Sequence, residues 1–193
     1  MKHPQFLGTF KKSELKVTTT NSEHRDYSSL GCVVFTASDT RTPSDDSSGD
    51  LIVAQLTEAG HNIVSRAIIR EDLTVMRDAI RGALQQAEVD VLIITGGTGI
   101  TRRDLTPEAL SSFMTKEIPG FGELFRWLSY DQIGSSTIQS RAFACLCDQT
   151  LAFALPGSPR AVQLALDEIL IPQLDINHKP CNFVQLMPRI RRS

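Results

Sequence analysis

Between Val89 and Leu110 the chain reads Val-Asp-Val-Leu-Ile-Ile-Thr-Gly-Gly-Thr-Gly-Ile-Thr-Arg-Arg-Asp-Leu-Thr-Pro-Glu-Ala-Leu. Gly96, Gly97 and Gly99 carry no side chains, so their backbone N–H groups can approach a ligand and positive φ is open to them. Arg102 and Arg103 can neutralise phosphate charge. Asp104 adds a carboxylate of the kind magnesium prefers. The spacing excludes two common nucleotide loops. No G-x-x-x-x-G-K-[ST] is present, so the phosphate-gripping lysine of a P-loop is missing, and Ile100, Thr101 and Arg102 follow Gly99 where a dinucleotide loop needs another glycine. Glycines alone would mark only a strand-to-helix turn. Joined to two cations and an aspartate, they point to an anion or nucleotide site.

The elements around this loop must hold it in place. Val89 to Ile94 is a short β-branched run, as expected of a parallel strand covered on both faces. Thr106 is expected to cap the next helix, with Pro107 at its first position. Upstream, Cys32 to Ala37 reads as the first strand and Ser38 to Ser48 as a polar loop. A helix follows from about Gly49 to Ala59, capped by Ser47 or Ser48 and ended by Gly60. Ile63 to Ile69 is the second strand, and Asp72 caps a helix whose Val75, Met76, Ala79, Ile80, Ala83 and Leu84 recur at helical spacing. Downstream come a helix over Pro119 to Ser129 and two short strands, Ala142 to Leu146 and Thr150 to Leu155. A last helix runs to about Ile171 after the Pro156-Gly157-Ser158-Pro159 break. Residues from Pro172 onward show no pattern and end basic.

This order predicts an α/β fold of three α/β/α layers, doubly wound around a mostly parallel sheet, with an antiparallel hairpin at its edge. Such sheets bind ligands outside the carboxyl ends of their strands. Turns carrying Ser38 and Asp39, Glu71 and Asp72, Gly96 to Asp104, and Pro156 to Ser158 would then share one rim. There Glu71, Asp72 and Asp104 could gather about one Mg²⁺. Glu71 and Asp72 also fit a solvent-facing charge pair at a helix start, and for Asp72 that reading is the stronger.

At 193 residues the chain fits one domain, and 41% hydrophobic with 22% charged residues at net charge −2 describes an ordinary globular protein. That balance gives no electrostatic reason to expect nucleic acid. No apolar run is long enough to cross a bilayer, and without an apolar signal core the expected location is the cytoplasm. Cys32, Cys145, Cys147 and Cys181 show no disulfide or metal framework, and Cys145 and Cys147 read as small buried hydrophobes on one strand face. The four histidines form no ligand-spaced set. Residues 1–28 are expected to be a mobile polar tail, 29–185 a single domain, and 186–193 a basic C-terminal tail.

Over roughly residues 30 to 185 the chain resembles the MoaB/MogA family of molybdenum cofactor (molybdopterin) biosynthesis. The most specific stretch is Thr95-Gly96-Gly97-Thr98-Gly99-Ile100-Thr101-Arg102-Arg103-Asp104-Leu105-Thr106-Pro107-Glu108-Ala109. Ser38-Asp39, Asp46-Ser47-Ser48-Gly49, Pro119-Gly120-Phe121-Gly122-Glu123, Ser140-Arg141 and Leu155-Pro156-Gly157-Ser158-Pro159 agree in order. Phe121 to Ser129, Pro172 to Asp175 and Lys179 to Phe183 look more like the MoaB branch.

The resemblance implies a Mg²⁺- and ATP-dependent adenylylation of molybdopterin with release of pyrophosphate. Asp104 would be a catalytic carboxylate, and Glu71 would stand where relatives of the MogA kind carry a second acid, here a glutamate rather than an aspartate. The two would hold Mg²⁺ together. Ser38, Asp39, Ser140, Pro156, Gly157 and Ser158 would line the nucleotide and pterin pocket, beside Gly96, Gly97, Thr98 and Gly99. We assign Arg102 or Arg103 to the leaving pyrophosphate. A homotrimer or homohexamer is implied, as are contacts with other molybdenum cofactor biosynthesis proteins. A non-catalytic molybdopterin-binding partner or scaffold stays open as the alternative, and an unrelated nucleotide-binding α/β protein as a third reading. Asp104 and the complete glycine loop favour the enzyme.

Overall fold

A computed structural model describes residues 27–191. The expected N-terminal tail lies outside them except for Tyr27 and Ser28, as do the last two residues. Six strands form one sheet: β1 (Gly31–Ala37), β2 (Asn62–Ile69), β3 (Val91–Thr95), β4 (Lys116–Ile118), β5 (Phe143–Cys147) and β6 (Thr150–Leu155). Their order is β2-β1-β3-β6-β5-β4. β2, β1, β3 and β6 run parallel, while β5 is antiparallel to both β6 and β4. The antiparallel hairpin is therefore present, and a further strand, β4, closes the edge beyond it.

Side-chain parity along the strands divides the core into two layers. Cys32, Val34, Val91, Ile93, Leu151 and Phe153 face α1 (Ser47–Glu58), α4 (Pro119–Ile133) and α5 (Pro159–Ala165). Val33, Phe35, Leu92, Ile94, Ala152 and Ala154 face α2 (Leu73–Leu84) and α3 (Thr106–Ser111). β1, β3 and β6 are buried along their whole length, which explains their near-continuous apolar sequences. Cys145 and Cys147 do point the same way into the second layer, with their sulfurs 3.6 Å apart.

The helix starts differ in detail from the sequence reading. Asp46, not Ser47 or Ser48, caps α1 by accepting the Gly49 N–H, and Arg66 Nη2 and the Thr36 hydroxyl hold the same carboxylate. Leu105 occupies the cap position of α3 with no side-chain hydrogen bond, and Pro107 is the second helical residue. The Thr106 hydroxyl instead donates to the Gly96 carbonyl at 2.7 Å, tying the helix to the glycine loop. Asp72 caps α2, accepting from the N–H groups of Thr74 and Val75. The last long helix continues through a π turn at Leu166–Leu170 into α6 (Ile171–Leu174).

The patternless C-terminal stretch is packed, not loose. A 3₁₀ turn at Val184–Leu186 and α7 (Met187–Ile190) bury Val184 and Met187 in the first layer. Arg191 then reaches the fully buried Asp90, with Nη2 2.8 Å from the carboxylate. Packing against the core thus continues past residue 185, through Met187 to Arg191. Among the described residues no helix is long and apolar enough to cross a membrane.

Candidate functional site

The connection after β1 goes to β2 on one side, and the chain then crosses to β3 on the other. Such a switch point leaves a crevice at the carboxyl ends of the strands. An open cleft of about 470 Å³ lies there, floored by Ala37 at the end of β1, Gly96 to Gly99 after β3, and Pro156 to Ser158 after β6. Glu71 enters from the end of β2, Asp104 from the glycine loop, Ser140 and Gln139 from the approach to β5, and Arg41 from the loop after β1.

Close approach of backbones makes this floor possible. Gly96 and Gly97 have φ of +97° and +64°, where an L side chain would be strained. A Cβ on Gly96 would meet the Ala37 carbonyl oxygen at 2.4 Å, and one on Gly157 would meet the Gly96 Cα at 3.3 Å. Hydrogen bonds fasten the same contacts. The Gly96 N–H donates to the Leu155 carbonyl, the Thr95 hydroxyl to Pro156, and the Ser48 hydroxyl to Gly157. Three separate turns are thereby locked into one surface.

Asp104 lies on the same side as the glycine amides. Its carboxylate accepts the Thr101 N–H at 2.8 Å and the Thr101 hydroxyl at 2.6 Å, and a Cβ on Gly99 would touch it at 2.8 Å. Burial works to raise this carboxyl, but the Thr101 hydroxyl and N–H, the Gly99 N–H and the charge of Arg141 outweigh it and hold the group below its ordinary range. Glu71 behaves oppositely. Burial first, and the negative charge of Asp104 second, push its carboxyl above the usual value. Two acids in one cleft thus have environments that separate them.

The remaining expected residues fall at the rim. The Ser38 hydroxyl accepts the N–H groups of Thr40 and Arg41, shaping the turn that delivers Arg41. Asp39 accepts the Glu71 N–H at 3.2 Å and pairs with Arg103. Arg102 is exposed, and neither it nor Arg103 is among the lining residues. Asp72, occupied as a cap, does not line the cleft either. Ser158 both lines it and caps α5 through the Ala161 N–H.

Arg41, Gln139 and Arg141 are site residues that the sequence reading left without a role. Arg141 sits behind the glycine loop, donating from Nε to the Gly99 carbonyl and from Nη2 to the Asp104 carbonyl, and pairing with Glu108. Only its adjacency to Ser140 in the matched segment hinted at this.

Glu71 and Asp104 are hard oxygen donors, and among the described residues no three His, Cys, Asp or Glu side chains gather as a metal site. That donor set suits Mg²⁺, which is commonly bound by one or two carboxylates with water and substrate phosphates. It does not suit a closed structural zinc site.

Residues 33–176 match the family described as "Probable molybdopterin binding domain". The chain is 44% identical over 150 residues to molybdenum cofactor biosynthesis protein B of Escherichia coli K12, covering 78% of this chain and 88% of that protein. Among solved structures, a molybdenum cofactor biosynthesis protein B superposes with TM-score 0.78 at 38% identity, covering 88% of this chain and 100% of the other. The tungsten cofactor synthesizing protein MoaB of Pyrococcus furiosus gives TM-score 0.66 at 35% identity, covering 73% and 90%. The cleft, the strand order and these likenesses agree: the chain belongs to the MoaB/MogA family of molybdenum cofactor biosynthesis proteins, on its MoaB side.

Proposed function

We propose that this protein is a Mg²⁺- and ATP-dependent molybdopterin adenylyltransferase. The observation that carries the reading is the placement of Glu71 and Asp104 in one cleft with the left-handed glycines. In the reaction, a phosphate oxygen of molybdopterin attacks the α-phosphorus of ATP. A new P–O bond forms as the bond to the β-phosphate oxygen breaks, and pyrophosphate leaves with that electron pair. No protein nucleophile is needed; alignment and charge neutralisation carry such a transfer. Glu71 and Asp104 would hold Mg²⁺, which when bound would neutralise phosphate charge. The N–H groups of Gly97 and Thr98 would donate to phosphate oxygens, and Ser140 and Ser158 would orient the ligands. Ser38 and Asp39 act from the rim by shaping the loops.

Pyrophosphate release from ATP, dependent on molybdopterin and Mg²⁺, tests the reading. Asp104→Asn should lower turnover at least about tenfold, corresponding to roughly 1.4 kcal/mol of transition-state stabilisation. Molybdopterin binding without any release above background would leave the non-catalytic partner instead. An unrelated nucleotide-binding protein would bind ATP and ignore the pterin.

We also propose that the chain works in the cytoplasm as a homotrimer or homohexamer. Support for assembly comes from Leu124, Trp127, Tyr130 and Ile133, which recur every third residue along α4 and are exposed, Trp127 by 70%. Several large apolar side chains left exposed on one helix are a feature of association surfaces. Light scattering at micromolar concentration decides it, and a monomeric mass overturns the proposal.

A further inference from the structure

The arginines around the cleft are not equivalent. Arg103 is paired with Asp39, Arg70 approaches the same carboxylate at 3.9 Å, and Arg66 is paired with Asp46 and Asp50. Arg141 is engaged with Glu108 and two loop carbonyls. Arg41 differs. It is the one Lys or Arg among the described residues that line the cleft, and among the described residues its guanidinium makes one hydrogen bond, from Nη1 to the neutral Asp45 carbonyl. No carboxylate within the described residues neutralises it. Its backbone N–H is fixed by the Ser38 hydroxyl at 3.1 Å, so the turn presents this side chain to the cleft by construction.

A guanidinium with unspent donors in an anion-binding cleft is suited to bidentate phosphate recognition. Adenylyl transfer makes one phosphate group need it most. Negative charge accumulates on the departing diphosphate, and Glu71 and Asp104 in the same cleft would oppose that charge. We infer that Arg41, rather than Arg102 or Arg103, receives the β- and γ-phosphates of the nucleotide and stabilises the leaving pyrophosphate. This assignment rests on the adenylyltransferase reading.

Calorimetric titration of the full chain with Mg·ATP, Mg·pyrophosphate and AMP tests it, using wild type, Arg41→Gln, Arg41→Lys and Arg103→Gln. Arg41→Gln should lose at least about tenfold in affinity for ATP and pyrophosphate, the range expected for a charge-assisted hydrogen bond, and keep AMP affinity within about twofold. Arg41→Lys should restore part of the loss. Melting temperatures close to wild type would show that the loop is intact. Equal losses for AMP and ATP would make Arg41 a structural residue and overturn the assignment, as would wild-type ATP affinity in Arg41→Gln or a larger loss in Arg103→Gln. A wild-type protein that binds neither ATP nor pyrophosphate would instead bring down the enzymatic reading, and the assignment with it.

Discussion

Arg141 Nη2 holds the backbone carbonyl of Asp104 at 2.7 Å, bridging 37 positions of chain. The same side chain donates from Nε to the Gly99 carbonyl, and its own N–H donates to Thr98 at 2.8 Å. Both ends of the turn that carries the Asp104 carboxylate are therefore fixed from behind by one planar fork. A lysine keeps the charge but cannot make that fork.

Arg141→Lys should consequently loosen the loop more than it weakens the fold. Losing two hydrogen bonds corresponds to about 1–3 kcal/mol of stability. On the proposed adenylyltransferase reading, turnover should fall about tenfold or more, because the Asp104 carboxylate would be misplaced. Hydrogen exchange of the amides from Gly97 to Leu105 should accelerate while the buried strands keep their protection. Wild-type turnover with wild-type exchange would show that the fork has no bearing on the site.

Gly99 is tied to Asp104 by space, not by backbone conformation. A methyl group there would meet the carboxylate oxygen at 2.8 Å and its carbon at 3.0 Å. Gly99→Ala should therefore push the Asp104 side chain away and cost activity on the scale of Asp104→Asn, with little loss of stability. Gly97→Ala adds backbone strain to crowding, since φ of +64° costs any L residue roughly 1–2 kcal/mol and its Cβ would meet the Thr106 hydroxyl at 2.6 Å. Melting curves should fall further for Gly97→Ala than for Gly99→Ala, and activity assays on the pair show whether displacing Asp104 alone is enough to cost turnover. A Gly99→Ala protein as active as wild type would mean the carboxylate can act from another position.

Much of this was legible in the sequence, and the exceptions have physical reasons. β6 falls on Thr150–Leu155 as read, and β1 gains only Gly31, because fully buried strands announce themselves as short apolar runs. β4 was invisible: its Lys116-Glu117-Ile118 is short, polar and paired on one side only. The C-terminal turns escaped because each contributes one or two core side chains, such as Leu174, Val184 and Met187, and leaves no period. Within the site, Gly96 to Asp104 could be read because ligand donors and acid are contiguous. Arg41 could not be chosen over Arg102 and Arg103, since only folding shows that Arg103 is committed to Asp39 and that Arg102 does not line the cleft.

The Arg191–Asp90 pair gives a prediction far from the chemistry. Asp90 is fully buried, accepts the Gly31 N–H at 2.8 Å, and meets Arg191 at the same distance. Arg191 also donates to the carbonyls of Ala87 and Val89, clamping the C-terminus under the sheet. Arg191→Ala strands a buried carboxylate, and should destabilise the protein by about 3 kcal/mol. Because the clamp lies at the other ends of the strands from the cleft, pyrophosphate release per folded molecule should not change. Denaturant titration beside the activity assay checks both halves, and a stability within error of wild type would show that Asp90 finds another partner.

The opposed shifts of Glu71 and Asp104 make stability depend on pH in a defined direction. Glu71 binds its proton more tightly in the folded protein than in the unfolded chain, so its contribution is complete below the ordinary glutamate range and is lost as pH rises through the raised folded value. Asp104 has the reverse sign. Its contribution is present above the ordinary aspartate range and disappears as pH falls through the lowered folded value. Above that raised value, burial of the ionised Glu71 carboxylate, with the charge of Asp104 beside it, works against the fold, and a bound cation would offset this. Glu71→Gln should melt at a higher temperature than wild type at neutral pH, and the difference should shrink to nothing as the solution is acidified through the carboxylate range. Added Mg²⁺ with pyrophosphate should raise the wild-type melting temperature and leave the variant nearly unmoved. A variant that melts below wild type at neutral pH would mean that Glu71 contributes more through packing and hydrogen bonds than it loses by sharing the cleft with Asp104, and the case for a paired carboxylate metal site would fall with it.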